Sequence, residues 1–116
     1  KQVEIGESVG YGRSFVAKKN TVIATLPVGY ADGYYRSLGN LNSRVFINGG
    51  YCPVVGNVCM DMIMVDITGL DVSEGDEVEL FGEHISVSDL AKSAGTIAYE
   101  ILAHISTRVP RVYLQN

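Results

Sequence analysis

The chain has 116 residues, of which 47% are hydrophobic and 19% are charged, and its formal net charge is −4. These values are typical of one small globular domain. A mildly acidic chain without a block of lysine or arginine lacks the positive charge that nucleic acids and anionic membrane surfaces attract, so we expect neither partner. No apolar run approaches the roughly 18 residues of a membrane-spanning helix.

Short β-strand patterns occupy most of the chain. Alternating or β-branched runs predict strands at 1–5, 21–26, 62–67, 77–82 and 108–114, and a hairpin at 44–48 and 51–55 with Gly49 and Gly50 in its turn. Between the early strands, residues 28–36 combine glycines, an aspartate and three tyrosines without any period, which is typical of a loop rich in functional side chains.

Only the C-terminal part has helical character. We predict a helix at 88–95 with Ser88 as its cap and a second at 96–104 with Thr96 as its cap. The spacing of the strands predicts a mainly β fold, a small Greek-key-like closed barrel with one or two short C-terminal helices. A sandwich is the alternative.

Two cysteines, Cys52 and Cys59, lie seven positions apart without metal-site spacing. We expect buried reduced thiols and a cytoplasmic protein, with a disulfide across the short loop as the alternative. The chain opens within a strand pattern and has no initiator methionine, so we expect residues before Lys1 to be missing.

Several kinds of catalytic pattern are absent from the sequence: a Ser-His-Asp arrangement, a metal-ligand cluster, a phosphate-binding glycine loop and a dinucleotide fingerprint. None of the four lysines stands in an apolar stretch that would lower its pKa for imine formation. His84 and His104 are predicted at the surface and at a helix end, and residues 71–79 as a solvated acidic face.

Two features remain as candidate sites. Tyr11 lies between two glycines, and such an unshielded phenol is able to act as a general acid or base, although a half-buried structural tyrosine is the alternative. The run Cys59-Met60-Asp61 precedes a strand in a loop whose backbone N–H groups could bind an anion. Its alternative is a strand entry with Met60 as core filler and Asp61 as a turn cap.

Six motifs, in order and spacing, resemble the C-terminal domain of bacterial alanine racemases. They are Val9-Gly10-Tyr11-Gly12-Arg13, Pro27 to Tyr34, Val55 to Asp61, Gly75 to Val78, Gly95 to Glu100, and Arg108 to Arg111. The resemblance covers essentially the whole chain, so residues 1–116 would be that β-domain. It implies a preceding TIM-like barrel that binds pyridoxal 5'-phosphate through its own lysine, and a homodimer with shared active sites.

The resemblance also implies roles for individual residues. Tyr11 would be the catalytic tyrosine, which transfers a proton on one face of the pyridoxal-phosphate aldimine while the barrel lysine serves the other face, so that L-alanine and D-alanine interconvert. Met60 would contact the substrate carboxylate through its backbone and Tyr30 would narrow the channel. Tyr99 would reach the cofactor phosphate, with Asp61 and Cys59 in support. The product would supply peptidoglycan precursors.

Two other functions are considered. The related serine racemases of vancomycin-resistance operons share this domain, but Tyr99 favours alanine because a smaller polar residue there would make room for a hydroxymethyl group. The remaining hypothesis is a non-catalytic β-barrel interaction module. The lack of an imine-forming lysine in this chain is compatible with it.

Overall fold

The computed structural model describes residues 21–107 and 109, together with three short strands nearer the N-terminus. Seven strands and two α-helices follow in chain order: β1 Gln2–Val3, β2 Ser8–Val9, β3 Phe15–Val16, β4 Thr21–Leu26, β5 Arg44–Ile47, β6 Gly50–Val55, β7 Ile63–Asp66, α1 Val87–Ala94 and α2 Ala98–Ala103. Tyr11 and most of the predicted final strand, 108–114, lie outside the described residues.

One antiparallel sheet organises the domain. Its five strands have the order β1-β4-β7-β6-β5, and β2 and β3 form a separate pair. The long connection from β4 crosses to the edge strand β5, after which β6 and β7 return to β4, which is the connectivity of a Greek key. The mainly β fold with two short C-terminal helices is confirmed. Among the described strands the sheet stays open, since β1 and β5 are its two edges and do not pair.

The core forms where one face of this sheet meets α1 and α2. Val45, Val54, Ile63 and Val65 are fully buried on the sheet. Leu90, Ala91 and Ala94 of α1 and Ile101 of α2 join the same cluster. Burying one branched side chain of this size stabilises the fold by about 1.5–3 kcal/mol, so this layer holds α1 and α2 against the sheet.

The predicted hairpin of β5 and β6 is confirmed with a shift in its turn. Ile47 pairs with Gly50, so Asn48 and Gly49 form the two-residue connection. Both have positive φ, 48° and 85°. This is the backbone that two-residue type I′ hairpin turns require, and asparagine tolerates it better than other non-glycine residues. The turn is therefore Asn48-Gly49 and not Gly49-Gly50.

The predicted strand at 77–82 is wrong. Only Glu79 pairs with the sheet, through one bridge to Phe46 on the edge of β5. The Glu79 carboxylate accepts hydrogen bonds from the backbone N–H groups of His84 and Ile85, both at 2.7 Å, and so turns the chain back on itself. Its hydrogen bond with the His84 side chain is the main reason that the pKa of Glu79 lies below its ordinary value.

The acidic segment 71–79 also does more than cover the surface. The Asp76 carboxylate accepts from the Asn48 side chain and from the Ser73 backbone N–H, both at 2.8 Å. These hydrogen bonds to its charged form lower the pKa of Asp76. The segment thus closes a turn of its own and is bonded to the β5–β6 turn, which its composition did not predict.

Both helices are confirmed, but both predicted caps are wrong. The cap of α1 is Ser86, whose hydroxyl accepts a hydrogen bond from the Asp89 N–H at 3.0 Å, and the helix ends at Gly95 with φ of 81°. The cap position of α2 is Ile97, without a side-chain hydrogen bond. The Thr96 N–H instead completes the end of α1 by donating to the Ala91 carbonyl, which places Thr96 before the start of α2.

Replacing each of the two serines near the start of α1 by alanine tests whether Ser86 is the cap. We expect Ser86→Ala to cost about 1 kcal/mol of helix stability, because the Asp89 N–H loses its acceptor. Ser88→Ala is the matched control, since Ser88 is exposed within the first turn and should be nearly neutral. Amide hydrogen exchange of residues 87–94 in the full-length protein measures both variants. Equal protection in the two variants would contradict Ser86 as the cap.

Cys52 and Cys59 are both free and buried, as predicted. Burial, followed by the Asp66 charge, raises the pKa of the Cys52 thiol. His84 is an exposed residue and His104 stands at the end of α2, which confirms both predicted positions. No helix in the described part of the chain is long and apolar enough to cross a membrane.

Candidate active site

The connection after β4 carries the first element of the site, which we call the Tyr30 loop, residues 28–35. Pro27 follows the last residue of β4 and lacks the N–H that would extend the ladder. A 3₁₀ turn, Tyr30–Asp32, follows, and it ends at Gly33 with φ of 107°. The loop predicted here is confirmed, although short 3₁₀ turns give it more order than its composition indicated.

The second element is the connection between β6 and β7, which we call the Met60 turn, residues 57–62. The Cys59 N–H donates to the Met62 carbonyl at 3.0 Å, which closes the turn. Cys59 is buried, with its thiol donating weakly to the Asn57 carbonyl at 3.8 Å, whereas Asp61 is exposed beside Met60. Within the described residues the Met60 N–H donates to no protein group.

These two elements contact each other through their backbones. The Tyr30 N–H donates to the Cys59 carbonyl at 3.0 Å, and the Ala31 N–H donates to the Met60 carbonyl at 2.9 Å. Gly29 permits this approach, because a Cβ atom at its position would lie 2.2 Å from the Cys59 carbonyl oxygen. Tyr30 and Met60, predicted to share a site, are therefore adjacent, and their side chains are 47% and 56% exposed.

Two tyrosines at the end of the loop serve structure. Tyr34 is buried, its hydroxyl lies 2.8 Å from the Ser43 hydroxyl, and burial raises its pKa. The Tyr35 hydroxyl donates to the Glu100 carboxylate at 3.2 Å, and its ring stacks on His104 with centroids 5.3 Å apart. Desolvation, followed by the Glu100 charge, raises the pKa of Tyr35. The loop is thereby attached to α2.

Tyr99 lies on α2 with 83% of its surface exposed. In the part of the chain that the structure describes, no hydrogen bond or ring contact joins it to Tyr30 or Met60. Its connection to them is indirect, because Tyr35 contacts Glu100 and His104 of the same helical segment. The structure therefore brings Tyr30, Met60 and Asp61 together, whereas Tyr11 lies outside the described residues.

Three neighbours of this site were missed in the sequence. The Arg36 guanidinium lies 5.8 Å from the Tyr30 ring centroid, within cation–π range. The Asp32 carboxylate accepts from the Gly29 N–H at 3.0 Å. That spacing, a cap residue followed three positions later by an acid, is the signal that could have revealed the bond. Nothing local in the sequence indicated the close approach at Gly29.

Comparison with known proteins identifies the domain to which this geometry belongs. The chain matches the family described as alanine racemase, C-terminal domain, over residues 1–113. It belongs to the alanine racemase C-terminal domain family. The resemblance of the six sequence motifs is thus confirmed, and with it the assignment of the chain to this family of racemases.

Individual relatives agree with the family. Alanine racemase 1 of Clostridium acetobutylicum is 50% identical over 121 residues, which cover 100% of this chain and 31% of the relative. The alanine racemase of Bartonella henselae, solved with covalently bound pyridoxal phosphate, is 38% identical with a TM-score of 0.92, covering 98% of this chain and 32% of that chain. The alanine racemase of Clostridium difficile 630 in complex with cycloserine is 47% identical with a TM-score of 0.92, covering 100% and 31%.

This racemase-family chain therefore spans about a third of the length of the relatives it matches. In its Tyr30 loop and Met60 turn, the side chains of Tyr30, Met60 and Asp61 are exposed. Within the described residues the single lysine, Lys92, is exposed on α1.

Proposed function

We propose that the protein containing this chain interconverts L-alanine and D-alanine with pyridoxal phosphate. The observation that carries the proposal is the backbone contact between the Tyr30 loop and the Met60 turn in a chain of this family. It places an exposed tyrosine beside an N–H group, that of Met60, which has no protein acceptor among the described residues. A free N–H group binds the carboxylate of an amino acid well.

The groups present suit a phosphate and a carboxylate rather than an imine. Tyr99 offers an exposed phenol that could donate to a phosphate oxygen, whereas Lys92 is solvated on α1 and has no surrounding apolar pocket. When bound, pyridoxal phosphate stabilises the negative charge left at the α-carbon after proton removal. The lysine that attaches it would belong to the barrel domain that we expect before Lys1.

In this scheme each candidate site residue has its own role. The Met60 N–H holds the substrate carboxylate and so orients the α-hydrogen. Tyr30, whose N–H donates to the Cys59 carbonyl, narrows the channel and favours a small side chain. The Tyr11 phenol takes or returns the α-proton on the face opposite the barrel lysine, so that configuration inverts. Asp61 and Cys59 support the turn that carries Met60.

The assembly is part of the same proposal. We propose a cytoplasmic homodimer in which this domain completes the active site of the partner subunit and supplies D-alanine for peptidoglycan precursors. Two exposed apolar side chains, Ile97 at the cap position of α2 and Leu102 within it, support the view that another protein surface covers the region around Tyr99. We also propose that the complete domain forms the closed barrel predicted from the sequence.

The test is α-deuterium incorporation from heavy water into both alanine enantiomers and into serine by the full-length protein with pyridoxal phosphate. We expect exchange and interconversion of alanine, slower exchange of serine, and none by the 116 residues alone. Serine turnover at least as fast as that of alanine would make serine the substrate. Racemisation by the isolated chain would contradict the shared site, and no racemisation by the full-length protein would favour an interaction module.

A further inference from the structure

The turn that presents Tyr30 is closed by one side chain. The Asp32 carboxylate accepts a hydrogen bond from the Gly29 N–H at 3.0 Å, while the Asp32 N–H donates to the Gly29 carbonyl at 3.0 Å. Gly29 is buried, so its N–H would be left without an acceptor if the carboxylate were removed. The bond from the Gly29 N–H to the Asp32 carboxylate therefore stabilises the conformation of Gly29, which lies directly against Cys59 and Met60.

Asp32 also joins the loop to the end of α2. Its carbonyl accepts from the Ser106 N–H at 3.1 Å. The next residue, Gly33, lies so close to this segment that a Cβ atom there would be 2.4 Å from the His104 carbonyl oxygen. Asp32 is thus bonded through its side chain to Gly29, which lies against the Met60 turn, and through its carbonyl to the segment that follows Tyr99.

From this arrangement we infer that Asp32 is a positioning residue: its carboxylate locks the Tyr30 loop against the Met60 turn and so fixes the substrate channel and the carboxylate-binding N–H relative to each other. The inference rests on the proposed function. Asp32 acts through Gly29 and is not expected to touch the substrate. Because the Met60 N–H and Tyr30 would hold the substrate equally in the ground and transition states, loosening them weakens binding more than chemistry.

The test compares Asp32→Ala and Asp32→Asn in the full-length protein, with Asp71→Ala as the matched control for loss of an exposed carboxylate. Asparagine keeps an oxygen that accepts from the Gly29 N–H, whereas alanine does not. We expect Asp32→Ala to raise the KM for alanine about tenfold and to change kcat less than about threefold. Asp32→Asn should recover most of the loss in KM, and Asp71→Ala should resemble the wild type.

Amide exchange provides the readout that does not depend on activity. In Asp32→Ala, exchange of the Tyr30 and Ala31 amides should become about tenfold faster, with a smaller change in Asp32→Asn. Unchanged KM and unchanged exchange in Asp32→Ala, even with a lower thermal midpoint, would overturn the inference, as would equal effects of alanine and asparagine. If the wild type does not racemise alanine, the proposed function fails, while the exchange measurement still decides whether Asp32 locks the loop.

Discussion

Replacing Tyr11 by phenylalanine in the full-length protein is expected to slow α-deuterium exchange of L-alanine by about a hundredfold to ten-thousandfold, the usual contribution of a general acid or base. Exchange of D-alanine should fall much less, because in the proposed scheme its α-proton faces the barrel lysine and not Tyr11. A phenol normally titrates near pKa 10, so this role needs a cationic neighbour to bring its pKa toward neutrality. The variant removes one oxygen and leaves the aromatic ring in place.

Tyr51→Phe is the control for removing a phenol elsewhere. Tyr51 lies half-exposed on β6, where its hydroxyl donates to the His84 carbonyl at 3.1 Å. It has no part in the proposed site, so exchange of both enantiomers should remain at the wild-type rate. Normal exchange of both enantiomers in Tyr11→Phe would show that the Tyr11 phenol is structural. Equal loss for both enantiomers would contradict its assignment to one face.

The second large effect is expected at Gly29. A Cβ atom there would lie 2.2 Å from the Cys59 carbonyl oxygen and 2.6 Å from the Met60 carbonyl oxygen. Both are backbone atoms that also receive the loop's hydrogen bonds, so no side-chain rotation relieves the clash. Gly29→Ala must therefore separate the loop from the turn, at a cost of about 3 kcal/mol or more from overpacking and two weakened hydrogen bonds.

The measurement is amide exchange of residues 28–35 and 57–62 together with the KM for alanine, both in the full-length protein. Gly49→Ala is the control, because Gly49 has φ of 85° and no heavy atom within 4 Å of the added methyl group. Gly49→Ala measures only the free-energy cost of placing a non-glycine residue in a left-handed conformation, about 1–2 kcal/mol, and its effect should be limited to the hairpin turn. A Gly29→Ala protein with normal exchange and KM would contradict the close contact of the two elements.

Local patterns predicted much of the fold correctly. β4 was placed at its observed bounds, 21–26, because a β-branched run ended at Pro27. The β5–β6 hairpin followed from apolar runs flanking glycines, with the turn displaced by one residue. In both regions the decisive forces act between residues close in sequence, since strand propensity and turn geometry are local properties.

The errors have a common cause in hydrogen bonds at turns and helix ends, which join residues three to six positions apart and which residue patterns do not predict. Residues 77–82 alternate as a strand does, yet Glu79 accepts the His84 and Ile85 N–H groups and the chain turns away after one bridge. Ser88 and Ser86 are equally good caps by composition, and the fold selects Ser86. Thr96 is used to end α1 rather than to start α2.

At the site, the family, the candidate tyrosines and the Met60 turn could be predicted from the amino-acid sequence, because these predictions depend only on side-chain identity and motif spacing. The three-dimensional fold was needed to show that Tyr30 and Ala31 bond the Cys59 and Met60 carbonyls, that Gly29 has no room for a methyl group, and that Asp32 closes the loop. The reason is physical: backbone N–H and C=O groups are the same in every non-proline residue, so a local sequence pattern does not show which of them will bond. The Greek key brings the Tyr30 loop and the Met60 turn together, and only then are the bonding partners defined.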